Sequence, residues 1–241
     1  MERFWEIDAL KSLAIALMIF YHFFFDLNYF GIAEISLYGG IFFLIQRFIA
    51  ITFISLAGVN TAISYSRLKD KGWKSVAGHF GKKAFFLAAA ALLITAATFI
   101  YPHNGFIVFG IIHFLAAAVL LSAFFAGFRY LNLVLGIILI AAGPLMEGIV
   151  SQTPFLLWLG IKFPGFYTLD YYPLIPWLGF MLIGIFIGKT LYPNGERAFK
   201  LKKPEGIASE IAEKISKNSL AIYLIHQPVL VALILAATYV F

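Results

Sequence analysis

The sequence contains no cysteine and few charged residues, and each scarcity removes a class of protein. Without cysteine, the 241-residue chain has no disulfide bonds, no thiolate metal ligands and no cysteine nucleophile. Only 12% of its residues are charged, 62% are hydrophobic, and the mean hydropathy is +0.91. A water-soluble domain needs more polar surface than this composition supplies, so the sequence indicates an integral membrane protein.

Long apolar runs dominate the chain, and their length is typical of transmembrane helices. A helix needs about 20 mainly apolar residues to cross the hydrocarbon core of a bilayer, and lipid cannot satisfy the backbone groups of an open sheet. No segment of about ten residues alternates in hydropathy as a barrel strand does. We therefore predict an all-α, polytopic transmembrane helical bundle that forms a single domain over residues 1–241. Its seven predicted spans are 9–27, 40–65, 84–101, 105–127, 131–149, 174–192 and 218–240.

The lysines and arginines are distributed unevenly between the predicted loops. All eighteen of them except Lys162 and Arg47 fall in loops or helix ends on one side of the bundle. By the positive-inside rule this side is cytoplasmic, which places the N-terminus inside and the C-terminus outside the cell membrane. The formal charge of +6 is explained by this topology and by contact with anionic lipid headgroups, so it implies no nucleic-acid partner.

The last cytoplasmic loop, residues 204–219, has the pattern of a short amphipathic helix. Isoleucine recurs every four residues from Ile207 to Ile215, and Glu213 precedes Lys217 by the same spacing. We expect a helix on the inner membrane surface that serves as a structural connector.

Ionisable side chains within the predicted spans are few, and they indicate where chemistry takes place. Burying such a group in a membrane costs about 2.5–3.5 kcal/mol on insertion scales, so it usually faces the bundle interior. His22 and Asp26 lie one helical turn apart in the first span. At this spacing the carboxylate can fix the tautomer of the imidazole and prepare it as a general base. The alternative is a buried polar pair that only locks helix packing.

Five further polar residues are candidates for contacts to an oxyanion or to an acceptor substrate. Most are expected in the outer half of the bundle, and only the histidine of the seventh span is expected closer to the cytoplasm. For His113 and His226, packing against neighbouring helices is an equal alternative. For Arg47, the equal alternative is a structural ion pair. The five residues are Arg47, His113, Asp170, His226 and Gln227.

One other feature of the sequence has a structural interpretation. Gly184 and Gly188, in the segment GIFIG, have the spacing that lets two transmembrane helices pack closely. No metal site is predicted.

Four separated motifs resemble one family of membrane proteins. The segment RFWEIDALKSLAIALMIFYHFFFDLNYFG (3–31) resembles the opening of the heparan-α-glucosaminide N-acetyltransferase catalytic-domain-like family of prokaryotic membrane proteins. Three later motifs are similar to those of the family and occur in the same order. They are FGIIHFLA (109–116), LDYYPLIPWLGFMLIGIFIG (169–188) and NSLAIYLIHQPVL (218–230). The first span and the terminal YLIHQP are also distantly similar to membrane acyltransferases that O-acetylate cell-surface sugars.

The resemblance implies an acyl-CoA-dependent transferase. An acyl group, acetyl in particular, would pass from cytosolic acyl-CoA to a sugar, a polyol or another hydroxyl or amine acceptor beyond the cell membrane. The histidine of the first span, His22, would be central to the chemistry, by direct transfer or through an acyl-histidine intermediate. Arg3 and Lys11 are the expected partners of the CoA phosphates. Lys11-Ser12 departs from the Arg-Gly of the family pattern, so Lys11 offers a point charge instead of a bidentate fork.

The sequence leaves two alternatives open, one for the function and one for the oligomeric state. A proton-coupled small-molecule transporter or channel would use the same intramembrane histidine, aspartate and arginine side chains. Seven spans are also few for enclosing a complete tunnel, so a homodimer is considered beside a monomer.

Overall fold

A computed structural model describes residues 3–37 and 39–240 of the chain. Within these residues the chain forms eight α-helices joined by loops and short 3₁₀ turns, and the only β-pairing is two isolated bridges. The predicted all-helical fold is confirmed. The helices are α1 (Trp5–Tyr29), α2 (Gly40–Leu68), α3 (Trp73–Ile100), α4 (Ile111–Phe125), α5 (Tyr130–Met146), α6 (Leu174–Leu191), α7 (Ile207–Lys217) and α8 (Ser219–Val240).

Seven of these helices are apolar and overlap the seven predicted spans. Five of them, α1, α2, α3, α6 and α8, are long and apolar enough to cross a membrane. The other two, α4 and α5, have 15 and 17 residues. They are therefore about 22 and 26 Å long, which is less than the ~30 Å of a typical hydrocarbon core. The protein is a multi-pass membrane protein, and its orientation stays a prediction.

Two helix boundaries differ from the predicted spans because hydropathy locates the bilayer and not the helix. The third helix begins at Trp73, well before position 84, since lysines are excluded from hydrocarbon but do not end a helix. The fourth begins at Ile111, since residues 105–110 form no helix. Instead, this segment pairs with the chain before α6, where the backbone N–H of Tyr172 donates to the oxygen of Phe109 at 2.9 Å.

The first of two compact units comprises Met1–Phe53 and Leu201–Phe241. Its described part contains α1, the first part of α2, α7 and α8, and α1 packs along both α7 and α8. Buried Met18 and Tyr21 on α1 share an apolar cluster with Ile49 on α2. This packing sets the polar residues of α1 and α8 side by side.

The second unit comprises Ile54–Lys200, with the rest of α2 and the helices α3 to α6. The approach of α2 to α6 depends on glycine. A Cβ added at Gly184 would overlap the backbone oxygen of Ser55, and one added at Gly188 would lie 2.7 Å from the Cβ of Ala62. The predicted close-packing role of these two glycines is confirmed.

Candidate active site

Two histidines, one from α1 and one from α8, are in contact in the first unit. The ring centroids of His22 and His226 lie 4.9 Å apart, and the ring planes form an angle of 81°. Tyr21 and Phe25 flank His22, while Tyr223 flanks His226. His226 is buried and His22 is half-buried. The pair therefore lies in an aromatic environment from which bulk water is largely excluded.

Backbone carbonyls determine which nitrogen of each ring carries the proton. Nδ1 of His22 lies 2.8 Å from the oxygen of Met18, and Nδ1 of His226 lies 2.6 Å from the oxygen of Tyr223. A carbonyl oxygen only accepts hydrogen bonds, so Nδ1 is the donor in both rings. In the neutral imidazoles Nε2 then holds the lone pair, which leaves one proton-accepting nitrogen in each ring.

A hydrogen bond between a carboxylate and an amide lies next to the histidines. Nε2 of Gln227 donates to Oδ1 of Asp26 at 2.6 Å, and Asp26 exposes only 2% of its surface. Oδ2 of Asp26, Oε1 of Gln227 and Nε2 of His226 are buried and have no hydrogen-bond partner among the described residues. An unpaired buried acceptor costs about 1–3 kcal/mol. These atoms are therefore suited to a ligand, or a water molecule, that donates hydrogen bonds.

The predicted contact between Asp26 and His22 is not formed. The Asp26 carboxylate bonds Gln227 across the helix interface, and the His22 ring bonds the backbone of Met18. Side chains on an α-helix lean toward its N-terminus, so the imidazole tilts toward the preceding turn and away from Asp26. The backbone of α1 therefore fixes the tautomer of His22 through the Met18 carbonyl. The sequence had predicted this role for the Asp26 carboxylate.

The predicted depth of His226 is also wrong. The ring contact puts His226 at the level of His22, and not closer to the cytoplasm. Counting residues from a helix end measures depth only when the helix ends lie level. Many more residues precede His22 in α1 than precede His226 in α8, so the two helices begin at different heights.

At its N-terminal end, α1 is tied to α7 by a buried carboxylate. Asp8, which exposes 5% of its surface, forms an ion pair with Arg3 and accepts a 2.6 Å hydrogen bond from Oγ of Ser216. Nζ of Lys11 donates to the backbone oxygen of Ser216 at 3.2 Å. Nε and Nη2 of Arg3 donate to Asp8, and among the described residues Nη1 has no hydrogen-bond partner, so it can contact another anion. Both residues expected to hold CoA phosphates lie at this end of α1.

Sequence reasoning missed Asp8 and Ser216. A stripe of small residues at 208, 212 and 216 on α7 was the available signal, since such spacing permits close helix approach. The contact is close, because Oγ of Ser12 donates to the backbone oxygen of Ala212 at 2.6 Å. An acidic residue in the first turn of α1, opposite that stripe, completes the pattern.

Arg47 lies on α2 in the first unit with an exposed side chain. Its guanidinium carbon is 5.1 Å from the ring centre of Phe43, one turn earlier. The face of an aromatic ring attracts a cation, so the ring holds the guanidinium along its own helix. A role for Arg47 in oxyanion or acceptor binding stays a prediction.

His113 belongs to the second unit and has the opposite tautomer. Oγ1 of Thr95 donates to the backbone oxygen of Ile107 at 2.7 Å and lies 3.0 Å from Nε2 of His113. Because the hydroxyl proton is used by the carbonyl, Nε2 of His113 must be the donor to Thr95. Its Nδ1 is buried without a partner among the described residues. The described contacts thus give His113 local partners, and a substrate contact stays a prediction.

Asp170, also in the second unit, caps the start of α4. Its Oδ2 accepts a 2.9 Å hydrogen bond from the backbone N–H of Ile111, which satisfies one free donor of the helix N-terminus. A Cβ at Gly110 would overlap this carboxylate. Asp170 precedes the span of α6, and burial raises its pKa to about 6 although the Ile111 hydrogen bond acts in the opposite direction. Its proposed contact to an acceptor also stays a prediction.

Comparison with models of known protein families gives a match over most of the chain. Residues 3–228 match the model of the family described as "Heparan-alpha-glucosaminide N-acetyltransferase, catalytic". Neither the comparison with curated proteins nor that with solved structures finds a match. The family match covers all eight helices in whole or in part, and it includes both histidines of the ring contact.

Proposed function

The chain belongs to the heparan-alpha-glucosaminide N-acetyltransferase catalytic family, and on this basis we propose that it acylates an acceptor outside the cell membrane with an acyl group from cytosolic acyl-CoA. Membership indicates an N-acetyltransferase-like activity and acetyl-CoA as the donor. The acceptor is a sugar or another molecule that offers a hydroxyl or an amine.

His22 is the general base in this proposal, and its fixed tautomer is the observation that carries it. The Met18 carbonyl holds the proton on Nδ1, so the lone pair of Nε2 is available for an incoming proton. Hydrogen bonding at Nδ1 also orients the ring, which is the task of the third group in catalytic triads. Asp26 acts through Gln227 in positioning α8 against α1.

The transfer step needs one proton acceptor at the attacking atom. As the acceptor oxygen or nitrogen attacks the thioester carbonyl, its proton moves to Nε2 of His22 and a tetrahedral oxyanion forms. Collapse of this intermediate breaks the carbon–sulfur bond and releases the CoA sulfur, which takes up the proton that Nε2 of His22 accepted, so the imidazole is neutral again at the end. The acyl group is then bonded to the acceptor.

Several polar groups are suited to holding the acceptor or the oxyanion. Buried acceptor atoms on Asp26 and Gln227 would receive hydrogen bonds from the hydroxyl or amino groups of a sugar. Arg47, His113 and Asp170 remain candidates for the oxyanion or for more distant parts of the acceptor.

The CoA phosphates are assigned to the N-terminal end of α1. Arg3 exposes 39% of its side chain and keeps Nη1 outside its contacts with Asp8 and Ser216. Lys11 supplies a second positive charge at the same end of the helix. Charge-assisted hydrogen bonds to phosphate from such groups are stronger than neutral ones.

Radiolabelled acetyl-CoA tests the proposal directly. The purified protein in detergent is incubated with the label and with a panel of amino sugars, neutral sugars and polyols, and transfer is measured by chromatography. We expect label on at least one acceptor, and a loss of about 100-fold or more in the His22→Gln variant, as is usual when a general base is removed.

A matched control separates chemistry from folding. Phe23, the neighbour of His22, is an exposed residue of α1, so Phe23→Leu is expected to retain wild-type transfer. Both variants are checked by size-exclusion chromatography. Transfer by a folded His22→Gln within a few fold of wild type would overturn the base assignment, and no thermal stabilisation by CoA would count against an acyl-CoA enzyme.

A further inference from the structure

Two cations meet at the C-terminal end of α6, in the second unit. Nζ of Lys189, on α6 itself, donates to the backbone oxygen of Ala126 at 3.0 Å. Nε of Arg129, which immediately precedes α5, donates to Oγ1 of Thr190 at 3.1 Å. Ala126 and Arg129 belong to the loop between α4 and α5, and Thr190 follows Lys189 in the chain. The two hydrogen bonds therefore hold both cations at one junction between this loop and the end of α6.

A third cation reaches the same end of α6. Nζ of Lys69, just after α2, donates to Oδ1 of Asn194 at 3.4 Å, in the turn that follows α6. The positive charge of Lys69 also acts on that of Lys189. Like charges at this range repel each other, so their proximity is unfavourable without a counterion.

The three cations, which we call the α6 cation cluster, have only uncharged partners among the residues that the structure describes. Nζ of Lys189 lies 5.4 Å from the ring centre of Tyr65, and the guanidinium carbon of Arg129 lies 5.2 Å from that of Tyr130. Rings and carbonyl oxygens attract a cation but carry no formal negative charge. Lys189 is half-buried, and a buried charge is costly unless an opposite charge approaches it.

Donors for such an anion remain in the cluster. Arg129 donates only through Nε within the described part of the chain, which leaves Nη1 and Nη2, and Lys189 uses one of its three N–H groups. The guanidinium also lies 5.7 Å from the ring centre of Phe186 on α6, so aromatic rings from two helices fix its position. A planar guanidinium beside an ammonium suits the oxygens of a phosphate group.

An exposed apolar face begins beside the cluster and runs along α5. Tyr130, Val134, Ile137 and Ile138 have the spacing of one helical face, and each exposes more than half of its surface. In a protein that spans a membrane, acyl chains cover such a face. A phosphate site at one end of an acyl-chain surface has the chemistry of a phospholipid.

We propose that the end of α6 binds one anionic phospholipid, whose phosphate contacts the α6 cation cluster and whose acyl chain lies along the exposed face of α5. A zwitterionic lipid carries the same phosphate, but its own cation would be repelled by the cluster, so the site selects a lipid with net negative charge. The site does not depend on the proposed transferase activity.

Native mass spectrometry of the purified protein tests this site. The protein in detergent is titrated with dioleoylphosphatidylglycerol, which is anionic, or with dioleoylphosphatidylcholine, which is zwitterionic, and the fraction carrying one lipid is measured. We expect tighter binding of the anionic lipid, and binding about tenfold weaker in the double variant Arg129→Gln/Lys189→Gln. Arg129→Gln alone, at an exposed position, should weaken it a few fold without disturbing the contact of Lys189 with Ala126.

A matched control removes the same charge from nearby lysines. Lys71→Gln/Lys74→Gln replaces two exposed residues on either side of the start of α3 and should bind the anionic lipid as the wild type does. Equal weakening in both double variants, or none in the cluster variants, would overturn the site.

Two further outcomes would assign the surface to another occupant. Glycerol 3-phosphate has a phosphate but no acyl chain, so it should not displace the lipid at equal concentration. Displacement would make the site one for free phosphate compounds and overturn the lipid assignment. A species with the mass of two chains and no bound lipid would assign the face of α5 to a second copy and would overturn it as well.

Discussion

Gln227 on α8 donates a 2.6 Å hydrogen bond to the buried carboxylate of Asp26 on α1. This polar contact helps to hold the two histidine-bearing helices in register, since Gln227 follows His226 in the chain and Asp26 lies one turn after His22. The sequence placed Asp26 in the site, but only the packing of α8 against α1 gives the carboxylate its partner.

We predict that the hydrogen bond between Asp26 and Gln227 stabilises the protein and that the effects of replacing its two partners are not additive. Asp26→Leu leaves the Gln227 amide unpaired, and Gln227→Leu leaves a buried carboxylate unpaired, so each should lower the free energy of unfolding by about 1–3 kcal/mol. The double variant should lose less than the sum of the two. Thermal unfolding in detergent measures all three, with Leu233→Ala on the exposed side of α8 as the control. Strict additivity would show that the pair contributes no coupling energy.

The N-terminal end of α1 allows a test of phosphate binding that does not depend on catalysis. If Arg3 contacts the phosphates of CoA, Arg3→Gln should raise the KM for acetyl-CoA about tenfold while the KM for acetyl-pantetheine, which lacks those phosphates, stays constant. A tenfold change corresponds to about 1.4 kcal/mol, within the range of one charge-assisted hydrogen bond. An equal rise for both donors would mean that Arg3 acts only through its ion pair with Asp8.

A single methyl group should disturb the packing of α2 on α6. In Gly184→Ala the added Cβ overlaps the backbone oxygen of Ser55, so the helices must separate, at a cost of about 1–3 kcal/mol. Gly78→Ala is the matched control, because a Cβ at this helical glycine meets no atom within 4 Å. Alanine there should be neutral or stabilise the helix by about 0.5–1 kcal/mol. Equal unfolding temperatures for the two variants would contradict the close contact.

The pKa of Asp170 predicts how stability depends on pH. Burial raises the pKa of this carboxyl from 3.8 to about 6 in the folded protein, so the folded state holds a proton that the unfolded chain has already lost. Its contribution to stability is therefore complete below pH ~4 and is lost as the pH rises through about 6. Unfolding temperatures between pH 4 and 7 should decline less in Asp170→Asn, whose amide oxygen still accepts the bond from Ile111. A parallel decline in both proteins would refute this linkage.

Composition and hydropathy were sufficient to predict the class of protein and most of its helices. A bilayer imposes a minimum apolar length on any spanning helix and requires internal backbone hydrogen bonds, so seven apolar runs predict seven apolar helices without any tertiary information. The spacing of Gly184 and Gly188 likewise predicted a helix contact, because both fall on one face. The same sequence also identified the family, through motifs around His22 and His226.

Tertiary structure decided which polar groups meet. Helix spacing brought Asp26 near His22 on one face, but side chains lean toward the helix N-terminus, so His22 bonds the Met18 carbonyl and Asp26 bonds Gln227 instead. The position of His226 along the bundle depends on where α8 begins relative to α1. The hydrophobic periodicity of one helix carries no information about the axial shift between two helices. A sequence determines what each helix can bury, whereas the distance between side chains on different helices is set by how those helices pack.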